Sequence, residues 1–231
     1  MQAQVGEEPR GSVTIDKLRE FPLFAALDDC HLVTLARVME LRHVRKGACV
    51  LKAEDPGKFI MFILSGKLRV ERVAQNGREF VLDILGPGDF FGELALLTGK
   101  PRSANVEAAE ESKILTLSQH DFEQYALNNA ALMLALLKEL ALRCRQTSVK
   151  AGDVALYDVS QRLCRVLMSL SEEQRSADGR SVRIVAVRPT HRELAALAGT
   201  TREVVTKALK ELEAAGRILV EGKKITFLRP H

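Results

Sequence analysis

Residues 88–106 read GDFFGELALLTGKPRSANV and carry the densest chemical signal in the chain. Their glycines permit a tight turn into a short apolar helix, and a helix start presents free backbone N–H groups to an anion. Arg102 follows after a loop and can make a forked, charge-assisted contact with a phosphate. Glu93 does not favour a phosphate, so its natural partner is a hydroxyl such as that of a ribose. An acid and a cation that serve different groups of one ligand indicate a sugar phosphate or a nucleotide.

This stretch lies among short strands. Between residues 41 and 117, alternating or apolar runs are separated by glycine turns. The runs cover residues 49–51, 59–64, 68–73, 80–85, 104–108 and 114–117. Strands of this length and spacing predict a small antiparallel sandwich or barrel. Residues 74–77 predict a hairpin tip, because the Asn-Gly pair they contain accepts positive φ.

The pattern FGELALLxxxPRSA, residues 91–104, resembles the phosphate-binding cassette of cyclic-nucleotide-binding domains. The resemblance implies that Gly92 and Glu93 lie at the ribose and that Arg102 and Ser103 lie at the cyclic phosphate. Leu94 completes the ligand-binding set predicted for this segment. The alternative is that Glu93 and Arg102 form only an intramolecular salt bridge, in a sensor that has lost its ligand.

A long helix is predicted from residue 129 to residue 156. Its apolar seam repeats in steps of four and three residues: Met133, Leu137, Leu140, Cys144, Thr147, Ala151 and Val154. A heptad seam of this length is typical of a helix that pairs with a second helix, so it predicts a two-stranded dimer interface. The alternative is a long helix packed on its own β-domain.

Thr147-Ser148, followed by Leu156-Tyr-Asp-Val159 and Arg162, is similar to the long helix and hinge of the cyclic-AMP receptor (CRP-FNR) family of bacterial transcription regulators. The resemblance implies that Thr147 and Ser148 contact adenine, one of them across the dimer. It therefore implies cyclic AMP as the effector, with cyclic GMP or cyclic di-GMP as alternatives. A threonine on a helical seam can also be a packing residue.

A second helix start is predicted just after residue 157. The Asp158 carboxylate can accept hydrogen bonds from the first turn, and Gln161 can reach back as in a capping box. The break near Tyr157 therefore predicts a domain boundary and a hinge. Beyond this helix, residues 171–180 predict a polar loop and residues 182–187 a short strand.

Residues 189–212 predict two helices around Gly199. Thr190 and Glu193 form a capping box at the first helix, and Thr201 is predicted to cap the second. Two helices joined by a glycine-containing turn are the helix-turn-helix pattern. Residues 218–220 and 224–227 predict the hairpin wing that follows such motifs. The alternative is a winged helix used for protein contacts.

Side chains from the first half of the second helix are predicted to reach base edges in the major groove. They are Thr201, Arg202, Glu203, Thr206 and Lys207. Arginine can hold guanine through two hydrogen bonds, and glutamate can accept one from a cytosine amine. The segment resembles the family's S-R-E-x-x-x-R recognition helix at Arg202 and Glu203. Lys207 stands where the family has its last arginine. Part of the base sequence recognised in each half of the operator is therefore not predicted.

The distribution of charge agrees with a separate C-terminal DNA-binding part. Residues 158–231 contain 14 Lys and Arg against 9 Asp and Glu, whereas the rest of the chain, at 20 against 21, is almost neutral. A basic C-terminal part indicates a polyanionic partner. Cysteines and histidines are scattered, so no metal site is expected, and no set of catalytic residues is recognisable. Without a signal sequence or an apolar run of about 20 residues, a cytoplasmic protein that is not an enzyme and does not contact a membrane is expected.

The sequence thus predicts an α+β protein with three parts. Residues 13–128 form a cyclic-nucleotide-binding β-sandwich or jelly roll, residues 129–157 a dimerisation helix with its hinge, and residues 158–231 a winged helix-turn-helix. The expected assembly is a homodimer on a double-stranded DNA operator with two-fold symmetry, and the resemblance implies RNA polymerase as a further partner. A rival hypothesis is a ligand-binding regulatory subunit of a partner enzyme that does not bind DNA.

Overall fold

The structure is a computed structural model, and it describes residues 6–7, 13–73, 79–175 and 181–228. The chain divides into two compact units. The first contains residues 1–72 and 84–145, and the second contains residues 73–83 and 146–231.

Nine strands lie in the described residues up to position 118. They are β1 (Gly6–Glu7), β2 (Glu40–Val44), β3 (Cys49–Leu51), β4 (Phe59–Ser65), β5 (Leu68–Val73), β6 (Glu79–Leu85), β7 (Phe90–Phe91), β8 (Asn105–Ala108) and β9 (Ser112–Ser118). One sheet has the order β1-β2-β9-β4-β7 and the other β3-β8-β5-β6. The helical elements here are α1 (Ile15–Arg19), a 3-10 turn (Pro22–Phe24), α2 (Asp29–Val38), α3 (Glu93–Thr98) and α4 (Gln119–Asn128).

Strand β4 explains why the first unit forms layers. Ile60 and Phe62 lie in a cluster with the N-terminal helices, whereas Met61 and Ile63 lie in a cluster with residues of the other sheet. Successive side chains of a strand point to opposite faces, so a strand buried on both faces is apolar throughout. The predicted β-sandwich is therefore confirmed, with helices covering the outer face of the five-stranded sheet.

The six apolar runs are confirmed as strands β3, β4, β5, β6, β8 and β9, with ends within two residues of the prediction. Strands β1, β2 and β7 were not predicted, and β1 has only two residues. β2 reads ELRHV, in which charged side chains hide the alternation, and β7 has only two residues. The predicted hairpin tip at residues 74–77 lies outside the described residues.

Helix α5 (Ala130–Leu156) confirms the predicted long helix. It begins after Asn129, whose side-chain oxygen accepts from the Leu132 N–H at 2.9 Å. Leu132 and Leu136 are buried in the first unit, so the first turns pack on their own β-domain. Further along the predicted seam the side chains are open: Leu137 is 59% exposed and Val154 51% exposed. A large apolar area of α5 is thus uncovered within one chain.

The second unit continues with α6 (Val159–Ser169), β10 (Glu172–Arg175), β11 (Ser181–Val185), α7 (His191–Ala198), α8 (Arg202–Ala214), β12 (Ile218–Glu221) and β13 (Lys224–Phe227). Its four strands form one antiparallel sheet in the order β10-β11-β13-β12. The capping box at α6 is confirmed, because the Asp158 carboxylate accepts from the Gln161 N–H at 2.8 Å and Gln161 accepts from the Asp158 N–H at 3.0 Å.

The predicted polar loop at 171–180 is wrong in its first half, where β10 pairs with β11. β10 reads EEQR and lies at the edge of its sheet. A polar edge strand is held by backbone pairing and has no apolar periodicity to reveal it. Strand β11 also ends two residues earlier than predicted, at Val185.

Candidate ligand site and nucleic-acid interface

Gly92 begins helix α3 in a backbone conformation that strongly favours glycine. Its φ is +85°, in the left-handed region. A Cβ at this position would lie 2.6 Å from Arg102 Nη1 and 3.1 Å from the Phe59 carbonyl oxygen. Glycine is therefore required both by the backbone angle and by the close approach of the arginine.

Arg102 is a buried cation, only 4% exposed. Its Nη1 donates to the Gly92 carbonyl oxygen at 2.7 Å, and its Nη2 donates to the Phe59 carbonyl oxygen at 2.9 Å. Its Nε is buried and has no hydrogen-bond partner among the described residues. Burial lowers the pKa of this guanidinium, and the nearby Glu93 partly opposes that shift. A buried arginine with a spare donor is suited to an anionic ligand.

The backbone on either side of Arg102 is fixed by the loop that follows β3. Glu54 N–H donates to the Arg102 carbonyl oxygen at 3.0 Å, and Arg102 N–H donates to the Asp55 carbonyl oxygen at 2.9 Å. Gly57, in the same loop, lets helix α3 come close, because a Cβ there would lie 2.2 Å from the Ala95 Cβ. One loop thus positions both the arginine and the helix.

Glu93 is also buried, at 6% exposure, and its partner is Arg143 of α5. Arg143 Nη1 lies 3.3 Å from Glu93 Oε1, and its guanidinium carbon lies 4.2 Å from the Phe90 ring centroid. Burial raises the pKa of the Glu93 carboxyl, while Arg143 lowers it by a smaller amount. Among the described residues Glu93 and Arg102 do not form the salt bridge that was the alternative, since the ion-pair partner of Glu93 is Arg143.

Arg143 is a site residue that the sequence reasoning missed. It lies 50 positions from Glu93, and no spacing rule connects the two. The other predicted ligand residues are more open. Leu94 is 52% exposed, Ser103 is exposed, and Thr147 and Ser148 are exposed positions of α5 in the second unit. The structure brings Gly92, Glu93 and Arg102 together, and the ligand-binding roles of all seven residues stay predictions.

The helix-turn-helix is formed by α7 and α8. At the start of α7, Thr190 and Glu193 form the predicted capping box, with the Thr190 N–H donating to Glu193 Oε2 at 2.7 Å. Gly199 ends α7 with φ +60°, the left-handed value that glycine favours. Thr201 occupies the N-cap position of α8, but its side chain accepts no capping hydrogen bond within the described residues, so that detail of the prediction is wrong.

The predicted apolar faces of both helices are buried. They comprise Leu194, Ala195, Ala198, Val205, Ala208, Leu209 and Leu212. Strands β12 and β13 form the predicted wing, with Gly222 and Lys223 between them. The winged helix-turn-helix is therefore confirmed.

On the outer face of α8, Arg202, Glu203 and Lys207 are exposed, as a base-reading role requires. The Glu203 carboxyl has a lowered pKa, because its own backbone N–H and then the Thr201 hydroxyl hydrogen-bond to it. Lys207 Nζ lies 3.7 Å from Glu211. Thr206 differs from the others, because its hydroxyl is half-buried and donates to the Arg202 carbonyl oxygen at 2.9 Å.

A basic groove of about 400 Å³ lies where α7 and α8 begin. Thr190, His191, Arg192 and Arg202 line it. His191 Nδ1 lies 2.8 Å from the Thr206 hydroxyl, which joins the two helices. Burial lowers the pKa of His191, and the charges of Arg188 and Arg202 lower it further. Sequence reasoning missed His191 and Arg192, whose joint placement with Arg202 depends on the packing of the helices.

Two further findings concern the described residues only. No single helix among them is both long enough and apolar enough to span a membrane. One bent pair, formed by part of α4 together with α5 at 115° to each other, has the length and composition of a broken membrane span. No group of three or more His, Cys, Asp or Glu side chains in those ranges is arranged to hold a metal ion.

A β-sandwich with a buried Glu and Arg at a glycine-entered helix, followed in the chain by a winged helix-turn-helix, defines a ligand-binding regulator of transcription. Residues 41–129 match the family model of the cyclic nucleotide-binding domain, and residues 161–231 match that of the Crp-like helix-turn-helix domain. The helix-turn-helix match counts against the rival hypothesis of a regulatory subunit that does not bind DNA.

The cAMP-activated global transcriptional regulator Vfr of Pseudomonas aeruginosa is 30% identical to this chain over 200 residues, which cover 84% of this chain and 91% of Vfr. Among solved structures, the c-di-GMP responsive global regulator CLP of Xanthomonas campestris gives a TM-score of 0.69 at 25% identity, covering 88% of this chain and 100% of CLP. The catabolite activator protein of Thermus thermophilus gives 0.54 at 28% identity, covering 90% and 93%.

The chain belongs to the CRP/FNR family of transcription regulators. It is a DNA-binding transcription regulator that carries a cyclic-nucleotide-binding domain. The comparisons match it to regulators of this kind throughout both domains and indicate no catalytic domain.

Proposed function

We propose that this chain is a homodimeric regulator that binds its DNA operator in response to cyclic AMP. The observation that carries the proposal is the buried guanidinium of Arg102, whose Nε faces no partner among the described residues while its other nitrogens are held by backbone oxygens. Desolvating an arginine is costly unless an anion meets it, so this geometry supports a phosphate at that position.

Each ligand residue has one proposed task. Arg102 and Ser103 bind the cyclic phosphate, helped by backbone N–H groups at the start of α3. Glu93 accepts from the ribose hydroxyl beside Gly92, and Leu94 adds an apolar contact. Arg143 would hold the Glu93 carboxylate in place. Thr147 and Ser148 read the adenine, one of them from the partner chain.

The homodimer is supported by the exposed apolar side chains of α5. Leu134, Leu137, Leu142, Val149 and Val154 are each more than half exposed within one chain. A second copy of α5 would cover the seam part of this surface. Two recognition helices α8 would then lie one DNA turn apart, about 34 Å, which suits a two-fold symmetric operator.

The domain boundaries proposed for this assembly are 13–128, 129–157 and 158–231. On the DNA, Arg202, Glu203 and Lys207 would read base edges from the exposed face of α8, with Thr201 at its start. Thr206 would act mainly by holding α8 against His191. We place the regulator in the cytoplasm, with RNA polymerase as its further partner.

The test is a calorimetric titration of the full chain with cyclic AMP, cyclic GMP and cyclic di-GMP, paired with DNA-shift assays on a selected operator. The expected result is tightest binding of cyclic AMP and a gain in DNA affinity when it is added. DNA binding that does not respond to any of the three would contradict the proposal. An analytical ultracentrifugation run checks the dimer.

Cyclic di-GMP is the second candidate effector, because the Xanthomonas campestris neighbour is described as responsive to it. A cyclic dinucleotide carries two phosphates and two guanines, whereas the buried cassette offers one arginine and one glutamate. The same titration distinguishes the two effectors. If cyclic di-GMP binds more tightly than cyclic AMP and changes DNA affinity in either direction, cyclic di-GMP is the effector.

A further inference from the structure

Helix α5 has a second face on the side away from its predicted seam. Leu134, Lys138 and Leu142 follow one another at intervals of four residues, so they share one face of the helix. At about 100° per residue, Leu142 lies about 180° around the helix axis from Met133 of the seam. A second copy of α5 that pairs along the seam therefore leaves this face uncovered.

This face is one wall of a groove within the first unit. The opposite wall comes from the 3-10 turn and the alanines that follow it, and the loop between β6 and β7 lies at one side. That loop is fixed to β4, because the Gly88 N–H donates to the Ile63 carbonyl oxygen at 3.0 Å and the Ile63 N–H donates to the Asp89 carbonyl oxygen at 2.9 Å. The groove has a volume of about 530 Å³ and is therefore formed before any ligand arrives. Pockets for small molecules range from about 300 to 1,000 Å³.

Most side chains of the groove are apolar. Leu134 and Leu142 are 54% and 56% exposed, although both lie beside other apolar groups. Phe90, which also lines the groove, is only 3% exposed, and its ring centroid lies 6.1 Å from that of Phe62 in the core. A ligand with an apolar body would remove the two leucines from water, and such burial is favourable.

One charged side chain in the groove lacks a partner. The Asp89 carboxylate accepts from the Gly86 N–H at 2.8 Å, and Glu139 lies 3.4 Å from Arg143. Lys138 is exposed and makes no ion pair or hydrogen bond within the described part of the chain. A few polar groups in an apolar pocket fix the orientation of a ligand, and here the available group is an ammonium.

We propose that this groove is a second ligand site, which takes a carboxylate with an apolar body, such as a medium-chain fatty acid. The carboxylate pairs with the Lys138 ammonium, and the apolar body covers Leu134 and Leu142. Arg143 lines the groove and also pairs with Glu93, so the site is a neighbour of the nucleotide cassette and not part of it. The inference does not depend on which nucleotide the cassette binds.

The test is a calorimetric titration of the full chain with decanoate below its micelle concentration. The comparison ligands are acetate, which lacks the apolar body, and decyltrimethylammonium, which carries the opposite charge. Saturable binding of one decanoate per chain is expected, without saturable binding of the other two at the same concentrations. The inference is overturned if decanoate does not saturate, or if decyltrimethylammonium binds as tightly as decanoate does.

Four variants of α5 separate this groove from general binding of a fatty acid. Lys138→Gln removes the ionic contact and Leu134→Gln part of the apolar contact, so each should weaken decanoate affinity about three- to tenfold. Arg145→Gln and Val149→Gln are the matched controls, because both positions are exposed on α5 outside the groove, and they should bind decanoate as the wild type does. Equal losses in all four variants, or unchanged affinity in both groove variants, would contradict the proposal.

Thermal unfolding and sedimentation velocity accompany these titrations. All four chains are expected to keep the wild-type unfolding midpoint and oligomeric state, since the altered positions are exposed. If the groove variants change the oligomeric state and leave decanoate affinity unchanged, the face belongs to a protein interface and the ligand site is disproved.

A measurement on the unaltered chain locates the ligand directly. A decanoate analogue with a diazirine at the end of its chain is cross-linked by light, and the modified peptides are identified by mass spectrometry. Adducts are expected in residues 22–26 and 131–143, which form the two walls. Adducts confined to the cassette at residues 91–104, or to segments elsewhere in the chain, overturn the inference.

Discussion

The Arg102 guanidinium donates to the Gly92 carbonyl oxygen at 2.7 Å, so the cation of the candidate phosphate site is tied to the residue that begins helix α3. The two residues lie ten positions apart, and helix α3 lies between them in the sequence. A ligand phosphate at this point would meet a cation and a helix start whose relative positions are already fixed. Such preorganisation reduces the entropy lost on binding.

Replacing Arg102 by leucine is expected to abolish binding of cyclic nucleotides. A lost charge-assisted contact at a buried phosphate costs about 1.5–3 kcal/mol or more. The variant also removes the hydrogen bonds that the guanidinium donates to the Gly92 and Phe59 carbonyl oxygens, so the unfolding midpoint should fall as well. Calorimetry measures the affinity, and Lys100→Ala, an exposed cation of the same loop, is the control that should bind normally. Unchanged affinity in Arg102→Leu would remove the cassette from the mechanism.

Gly92→Ala and Gly99→Ala separate backbone strain from displacement of the arginine. Both glycines have positive φ, so each alanine costs about 1–2 kcal/mol of stability. Only at Gly92 would the new Cβ press on Arg102, whereas no described atom outside the immediate neighbours lies within 4 Å of a Cβ at Gly99. Thermal unfolding should therefore show a loss for both variants and the larger one for Gly92→Ala, and titration should show a loss of nucleotide affinity for Gly92→Ala alone. Equal affinities would show that the arginine tolerates the contact.

Glu93→Gln is expected to stabilise the chain at neutral pH while it weakens nucleotide binding. Burial raises the pKa of Glu93 above its ordinary value of 4.5, so the folded state prefers the neutral carboxyl. That contribution to stability is complete below the ordinary pKa and is lost as the pH rises through the folded pKa. The variant should gain about 2–4 °C in unfolding midpoint near pH 7, roughly 1 kcal/mol, and gain nothing near pH 4.

The control for this prediction is Glu139→Gln, which removes another partner of Arg143 at a more exposed position. It should leave both the midpoint and the nucleotide affinity close to wild type. A Glu93→Gln midpoint that falls at neutral pH would mean that the pairing with Arg143 outweighs the cost of burying the carboxylate.

The double variant Thr147→Ala and Ser148→Ala is expected to reduce the preference for adenine over guanine more than it reduces phosphate binding. Both side chains are exposed on α5 within one chain, where they are accessible to a base or to a second protomer. Titration with cyclic AMP and cyclic GMP gives the ratio, and Gln146→Ala, an exposed neighbour, is the control. Equal losses for the two nucleotides would assign the pair a structural role.

Arg202→Ala is expected to cost about 1–3 kcal/mol per half-site and to relax the preference at one base position. Arg202 is exposed at the first position of α8, and the N-terminal residues of a recognition helix are the ones that contact base edges. Lys210→Ala, at an exposed position two turns along, should weaken binding evenly or leave it unchanged. The measurement is affinity for the operator and for single-base variants of it. An even loss for Arg202→Ala would show that it holds only the DNA backbone.

Much of this fold can be predicted from short-range sequence patterns. The capping boxes at Asp158–Gln161 and Thr190–Glu193 were predicted because each joins residues three positions apart. Helix α5 follows from a heptad repeat, and the six predicted strands follow from apolar runs between glycines. The cassette was recognisable because glycine, glutamate and arginine keep a fixed spacing along one segment.

Only the tertiary structure decided which distant groups meet. Arg102 donates to Phe59, 43 positions away, Glu93 pairs with Arg143, 50 positions away, and Arg162 bonds to Ala198, 36 positions away. Each contact joins elements that sequence periodicity describes separately, and their approach depends on how whole faces pack. Caps, strands and helix lengths depend on neighbours along the chain, which the sequence displays directly. The partners of a buried charge depend on which helices and strands pack around it and exclude water. The packing of these elements is determined by the tertiary structure.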